Sequence, residues 1–164
     1  MAKTVSRSAD ANLYEDDFYL WVERQADLLR KGRFRDLDLA HLIEEVADLS
    51  VNLRNAVTSR TREIILHLLK LQYSPASEPR AGWQESVGRQ RDDLELELTP
   101  SLTRHLAGEL ESIYQKARRR AVHELARDRV TPDQLPATCP YTFDQILDPV
   151  WRPENVHGIK DPAP

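Results

Sequence analysis

The densest group of side chains capable of chemistry is the run His41-Leu-Ile-Glu44-Glu45-Val-Ala-Asp48. Spacings of three, four and seven residues place His41, Glu44, Glu45 and Asp48 on about one face of a helix. Hard divalent cations bind clustered carboxylate oxygens, and helical nucleotide pyrophosphatases use Glu-Glu-x-x-Glu runs to hold Mg²⁺. The run therefore suggests half of the metal site of a divalent-metal-dependent nucleotide phosphohydrolase.

The orientation of these carboxylates favours a solvated acidic face instead. The apolar stripe of the same helix centres near Leu42 and Val46, and at about 100° per residue Glu44 and Asp48 point almost opposite. Metal sites in helical bundles project their ligands inward. The second acidic run that such an enzyme needs is not evident either. An acidic surface that contacts a polar partner is a third interpretation.

Two histidines form a second candidate metal site. His67 lies in the apolar stretch Ile64-Ile65-Leu66-His67-Leu68-Leu69, where burial and a partner could tune its pKa. His105 and Glu109 are four residues apart on a later helix, and with His67 they would supply mixed nitrogen and oxygen ligands. A core histidine with satisfied hydrogen bonds is the commoner arrangement, and no third helix offers a clear ligand.

The remaining motifs point away from several classes of function. The basic residues Lys116, Arg118, Arg119 and Arg120 spread round most of a helix, whereas a nucleic-acid-binding helix concentrates its positive charge on one face. Cys139 has no adjacent histidine to activate it. The sequence has no glycine-rich phosphate loop, no nucleophile elbow and no dinucleotide fingerprint, so we expect no cofactor and no nucleic-acid partner.

The elements that position these residues are all helical. The first predicted helix runs from about Tyr14 to Lys31, with Asp16 and Asp17 in its first turn and Gly32 as its C′ residue. Its apolar stripe comprises Phe18, Trp21, Val22, Gln25, Leu28 and Leu29, of which only the glutamine is polar.

The second predicted helix covers residues 38–73, which contain neither glycine nor proline. Its first part has a heptad seam, formed by Leu39, Leu42, Val46, Leu49, Leu53 and Ala56. The seam then shifts to Ile64, Leu68 and Leu71, as in a coiled-coil stutter, and Ser50 or Asn52 could host a break. One continuous helix of about 54 Å is the economical interpretation.

Two further helices and a tail complete the chain. A third helix is predicted over about residues 83–98, after the linker SPASEPRAG. Thr99 and Pro100 have the residue types of an N-cap and N1 position, and they start a fourth helix that runs to about Arg127. Seven of the ten prolines follow residue 131, so we expect an extended tail with a short helix at about 143–147. The predicted fold is an all-α, irregular helical bundle built on one long central helix. The chain divides into a flexible arm (1–12), the bundle (13–130) and a Pro-rich tail that packs on the bundle (131–164).

Composition supports this interpretation. The chain has 164 residues, 40% hydrophobic and 30% charged, which suits one folded domain. The net charge of −4 provides no general attraction for phosphate backbones. One cysteine, the absence of a signal sequence and the absence of a long apolar run predict a cytoplasmic protein without a membrane partner.

Several segments in order resemble a known family. They are LYEDDFYLWVERQADLLRKGRF, LDLAHLIEEVADL, HLLKLQYSP, GWQESVGRQRDDLELEL, TPSL and CPYTFDQILDP, which together cover residues 13–149. The chain is similar in these segments to the bacterial family called domain of unknown function 29. The resemblance implies a helical domain, and it carries over no catalytic residue, because no activity is established for the family.

The excess of apolar residues near the end of the second helix predicts self-association. Five residues, Ile64, Ile65, Leu68, Leu69 and Leu71, surround the helix almost completely when Leu66 is included. A helix that is apolar on every side must be covered on every side. The cover is either the tail or a second copy of the chain. We therefore predict a homodimer or higher oligomer that uses these five residues, in a non-enzymatic protein-interaction module that could also bind another protein.

Overall fold

The computed structural model describes residues 13–160. The arm predicted for residues 1–12 and the last four residues of the predicted tail lie outside this part. The described residues form two compact units, which divide between Asn52 and Leu53. We call them the N-terminal unit and the C-terminal unit.

The described residues contain helices and no strand, as the sequence predicts. The helices are α1 (Phe18–Arg30), α2 (Leu39–Tyr73), α3 (Arg80–Glu97), α4 (Pro100–Leu125) and α5 (Phe143–Leu147). Turns of 3₁₀ helix occur at Phe34–Asp36, Ala126–Asp128 and Pro132–Gln134. None of the described helices is long and apolar enough to cross a membrane. The predicted all-α bundle with one long helix is thus confirmed, and α2 has no break at Ser50 or Asn52.

Two of the helix ends lie where the capping residues predict them, and the start of the first helix does not. Gly32 adopts a φ of 67°, and the N–H groups of Gly32 and Arg33 donate to the carbonyls of Leu29 and Leu28, which is a complete Schellman motif. Thr99 caps α4 by accepting from the N–H of Leu102. The first helix was predicted too early, because Asp17 is the N-cap of α1 and a separate helical turn covers residues 13–16.

The third helix was predicted too late. It begins at Arg80, within the predicted linker SPASEPRAG. The guanidinium of Arg80 is buried and donates to the carbonyl of Leu71 at 2.9 Å, near the C-terminal end of α2. The start of α3 therefore helps to satisfy the last carbonyls of the long helix.

The core of the C-terminal unit surrounds the second half of α2. The side chains of Ile64, Ile65, Leu68, Leu69 and Leu71 are all 0% exposed. They pack with buried residues of α3, α4 and the tail, which are Val87, Leu94, Leu106, Ile113, Tyr114, Ala117, Ala121, Leu125, Leu135, Tyr141 and Ile146. Of the two covers that the sequence left open, the structure shows this chain's own tail, together with α3 and α4.

Arginine side chains bind the tail through its backbone. The guanidinium of Arg91 is buried and donates to the carbonyls of Gln145, Ile146 and Trp151 at 2.9, 2.8 and 3.0 Å. Arg118 donates to three more carbonyls of the tail, at residues 132, 135 and 136. Because each guanidinium has five donors in a rigid fork, one side chain can fix several carbonyls of an extended segment.

Candidate interaction surface

The N-terminal unit is a pair of helical segments joined by a turn. On α1, the residues Trp21, Gln25 and Leu28 are buried, and their spacing of four and three places them on one face. The Schellman motif at Gly32 reverses the chain, and a 3₁₀ turn leads into α2. The first residues of α2 therefore come back beside α1.

A network of polar side chains holds these two segments together. The carboxylate of Asp38 accepts from the indole N–H of Trp21 at 3.2 Å and from Nδ1 of His41 at 2.6 Å. The side-chain oxygen of Gln25 accepts from the backbone N–H of Asp38 at 2.9 Å. Because these three bonds converge on one residue, Asp38 fixes the start of α2 against the buried face of α1.

Tyr14 extends this network along α2. Its ring stacks on the His41 imidazole with a centroid distance of 3.9 Å and an interplanar angle of 12°. Its hydroxyl donates to Glu45 at 2.6 Å, and this hydrogen bond is the main reason that the pKa of Tyr14 is raised to about 12. Two members of the predicted acidic cluster, His41 and Glu45, are thus engaged in joining two helical segments.

The charge of the His41 side chain is stabilised by its partner. The hydrogen bond from His41 to Asp38 raises the pKa of the imidazole above its usual value. Burial alone would raise the pKa of Asp38, but the hydrogen bonds from His41 and Trp21 outweigh it and the pKa is lowered. Both shifts favour the charged form of the side chain concerned, and we call the pair of Asp38 and His41 a charged clasp.

The remaining members of the acidic cluster do not converge with these groups. Glu44 and Asp48 are exposed. Within residues 13–160, no group of three or more His, Cys, Asp or Glu side chains is placed to hold a metal ion. This applies equally to Glu44, Glu45 and Asp48 and to the second predicted set of His67, His105 and Glu109.

The other candidate residues take part in contacts that stabilise the fold, or lack the environment that a reactive group needs. His67 is half-buried, its Nδ1 lies 2.8 Å from the carbonyl of Glu63, and burial lowers its pKa. Arg120 pairs with Glu63 and Glu124, and Arg118 holds the tail. Burial raises the pKa of the Cys139 thiol, which is the opposite of what a nucleophilic cysteine needs.

The feature of the N-terminal unit that lacks a cover is one side of α2. Leu39, Ile43, Val46 and Leu49 are between 59% and 64% exposed. They lie within about 120° of the helix circumference, and we call them the apolar face. The face borders a shallow depression of about 360 Å³ that is lined by Leu39, Leu42, Ile43, Val46 and Ala47.

The sequence predicts a heptad seam that includes Leu39, Leu42, Val46 and Leu49, and within one chain this part of the seam is largely exposed. The reason is the side on which α1 packs. Tyr14 and Trp21 contact Asp38, His41 and Glu45, which lie beside the apolar face on the helix circumference. Of the seam residues in this unit only Leu42 is half-buried.

The predicted stripe of α1 is also only partly covered. Phe18, Val22 and Leu29 are exposed, whereas Trp21, Leu28 and the polar Gln25 are buried. The described part of the N-terminal unit thus buries two large hydrophobic side chains and exposes eleven, which are Phe18, Tyr19, Leu20, Val22, Leu29, Phe34, Leu39, Ile43, Val46, Leu49 and Val51. Such an excess of exposed apolar groups marks a contact surface rather than a finished core.

The five residues that the sequence analysis assigned to an interface are not on this surface. Ile64, Ile65, Leu68, Leu69 and Leu71 are fully buried by the chain's own α3, α4 and tail. They are unavailable to a second copy in this fold. A contact between copies would have to use other residues, and the apolar face is the exposed part of the same helix. Hydropathy around α2 could not reveal this, because it shows how much cover a helix needs and not which segment provides it.

Comparison with known proteins identifies the family and no more. No curated protein matches the chain, and no solved structure matches it. Residues 13–152 match the family model described as Domain of unknown function DUF29, in agreement with the resemblance in the sequence. This match spans all five helices of the described structure. The chain therefore belongs to the DUF29 family, whose function is unknown.

Proposed function

We propose that this protein is a non-enzymatic, helical protein-interaction module that binds a partner through the apolar face of α2. The observation that carries the proposal is the exposure of Leu39, Ile43, Val46 and Leu49 on a unit that otherwise buries very little. A partner with its own apolar helix would complete a core that α1 leaves unfinished.

The energy available from this surface is adequate for binding. Full burial of one aliphatic side chain stabilises by about 1.5–3 kcal/mol, and these four side chains have about 60% of their surface still to bury. Covering them would contribute about 4–7 kcal/mol in total, before the exposed residues of α1 are considered. Because association itself costs several kcal/mol, a partner would have to contact both helical segments of the unit to bind in the micromolar range.

The polar network gives the surface its rigidity. Asp38, His41 and Tyr14 fix the start of α2 against α1, so the first turns of the apolar face are presented on a preorganised element. A preorganised surface loses less conformational entropy on binding. This role also accounts for His41 and Glu45 of the run at 41–48 without a reaction. Among residues 13–160, no group of side chains supports the alternative of a metal-dependent phosphohydrolase.

The chemistry of the face defines the partner. It carries no ionisable side chain, so it suits an apolar helical surface and neither a phosphate backbone nor a metal ion. The acidic residues Glu44 and Asp48 lie on the opposite side of α2 and would stay in solvent. We expect the interaction to take place in the cytoplasm, the compartment predicted for a chain with a single cysteine.

The proposal can be tested by site-specific photo-crosslinking in living cells of the source organism. A photoreactive benzoyl-phenylalanine replaces Leu49, and in a control chain it replaces Leu96, a leucine of the C-terminal unit that is 87% exposed and lies outside the apolar face. We expect a discrete protein adduct from position 49, whether with a second copy or with another protein, and its loss when Val46→Glu is added. Equal or absent adducts at the two positions would contradict the proposal.

A further inference from the structure

We propose that the partner of the apolar face is a second copy of this chain, so that two N-terminal units pair into one helical bundle. This inference rests on the proposed function, because it names the occupant of the same surface. It replaces the interface expected at residues 64–71 with one formed by α1 and the first part of α2.

The spacing on α2 is the first argument. Leu39, Leu42, Val46 and Leu49 follow one another at intervals of three, four and three residues, which is the pattern of a helix that packs against another helix with the same pattern. Such a seam is complementary to itself. A two-fold arrangement lets each residue of the face contact its counterpart region in the other copy, as in the commonest closed oligomers.

The distribution of charge is the second argument. The half of the α2 circumference that holds the apolar face also contains Ala40, Ala47 and Ser50, and between Leu39 and Asn52 this sector has no ionisable residue. Two copies can therefore approach through this sector without placing like charges opposite each other, and the small side chains allow the helices to lie close together. Glu44 and Asp48 are on the far side, where repulsion between copies is screened by solvent.

The division of apolar residues within the N-terminal unit is the third argument. Trp21 and Leu28 are buried inside one unit, whereas Phe18, Val22 and Leu29 of the same helix are exposed. In each copy α1 thus has one apolar side that is buried and one that is open, and α2 contacts α1 through polar side chains while its apolar face stays open. Two such helix pairs contain what a four-helix bundle requires, namely four apolar stripes that can share one core.

The test is sedimentation equilibrium of the full chain between 1 and 100 µM (about the range of weak to moderate dimers). We expect wild type to have twice the mass of one chain at the upper concentrations. Val46→Glu and Leu49→Glu each place a charge on the pairing surface. We expect either to weaken the dimer by at least about a hundredfold, because a buried unpaired charge is strongly unfavourable. Leu96→Glu is the matched control, and we expect it to leave the dimer unchanged. Circular dichroism of each variant establishes that the helices are retained.

The outcomes separate this inference from the proposed function. A wild-type chain that stays monomeric at 100 µM, or a Val46→Glu chain that dimerises as well as Leu96→Glu, overturns the second copy as the occupant. If position 49 still gives an adduct with a different protein in cells, the interaction module stands and its partner is that protein. If position 49 gives no specific adduct either, both proposals fail.

Discussion

Arg91 provides the most direct test of how the C-terminal unit is assembled. Its guanidinium is 4% exposed and donates to three carbonyls of the tail, at Gln145, Ile146 and Trp151. Burial lowers the pKa of Arg91 to about 10, so the guanidinium stays protonated at neutral pH and keeps all of its N–H donors. Arg91→Met keeps much of the packing of the side chain and removes every donor.

The expected cost follows from where these carbonyls lie. Ile146 is buried, and leaving its carbonyl without a donor costs about 1–3 kcal/mol. Gln145 and Trp151 are half-buried, so water can replace part of their bonds at about 1 kcal/mol each. Removing a desolvated charge returns some of this energy. We therefore expect Arg91→Met to lower the free energy of unfolding by about 3 kcal/mol and the Tm by roughly 6–12 °C.

Thermal and urea unfolding, followed by circular dichroism at pH 7, measure this change. Arg89→Met is the matched control, because Arg89 lies on the same helix and is exposed, and we expect a change within about 0.5 kcal/mol. Arg91→Lys keeps the charge without the planar fork, and it should be no more stable than Arg91→Met. A stability of Arg91→Met equal to that of Arg89→Met would refute the idea that this guanidinium anchors the tail.

Three more predictions concern other parts of the chain. Arg129 adopts a φ of 63°, so Arg129→Gly should raise the stability by about 1 kcal/mol in urea unfolding, and a decrease would contradict the assigned backbone strain. Leu68→Ala, in the fully buried core, should cost about 2–5 kcal/mol, whereas Leu96→Ala at an exposed site should be nearly neutral by the same assay. The pKa of the His41 imidazole, measured by NMR, should lie above 6.5 and return toward 6.5 in Asp38→Asn. The stabilisation by this pair is therefore present below pH 6.5 and is lost as the pH rises through the raised pKa of His41. An unchanged pKa in Asp38→Asn would argue against the clasp.

The local part of the fold could be predicted because it depends on neighbouring residues. Thr99 and Pro100 specify the start of α4 through capping and a fixed φ, and Gly32 specifies the end of α1 through its positive φ. The absence of glycine and proline from residues 38–73 predicts the long helix for the same reason. These signals act within one turn of helix and need no information about distant segments.

The surface could not be predicted because it depends on which distant segments meet. Hydropathy gave the two ends of α2 similar seams, but α3, α4 and the tail cover Ile64 and Leu68, whereas Val46 and Leu49 stay exposed. The hydrogen bonds from Trp21 to Asp38 and from Tyr14 to Glu45 decide on which side α1 packs, and they join residues 17 and 31 positions apart in the sequence. The spacing of apolar residues along a helix does not predict hydrogen bonds of this kind.

Hydrogen exchange of the backbone amides at residues 46–52 tests the central claim most directly. These seven residues of α2 are exposed on every side within one copy, and a short helical segment without tertiary cover opens readily. If a second copy covers the apolar face, these amides should exchange slowly in purified protein at about tens of micromolar, because a covered helix is protected and an uncovered one is not. Val46→Glu should remove this protection, while the amides of residues 64–71 stay protected. Rapid exchange at residues 46–52 in wild type, with residues 64–71 protected, would contradict the account.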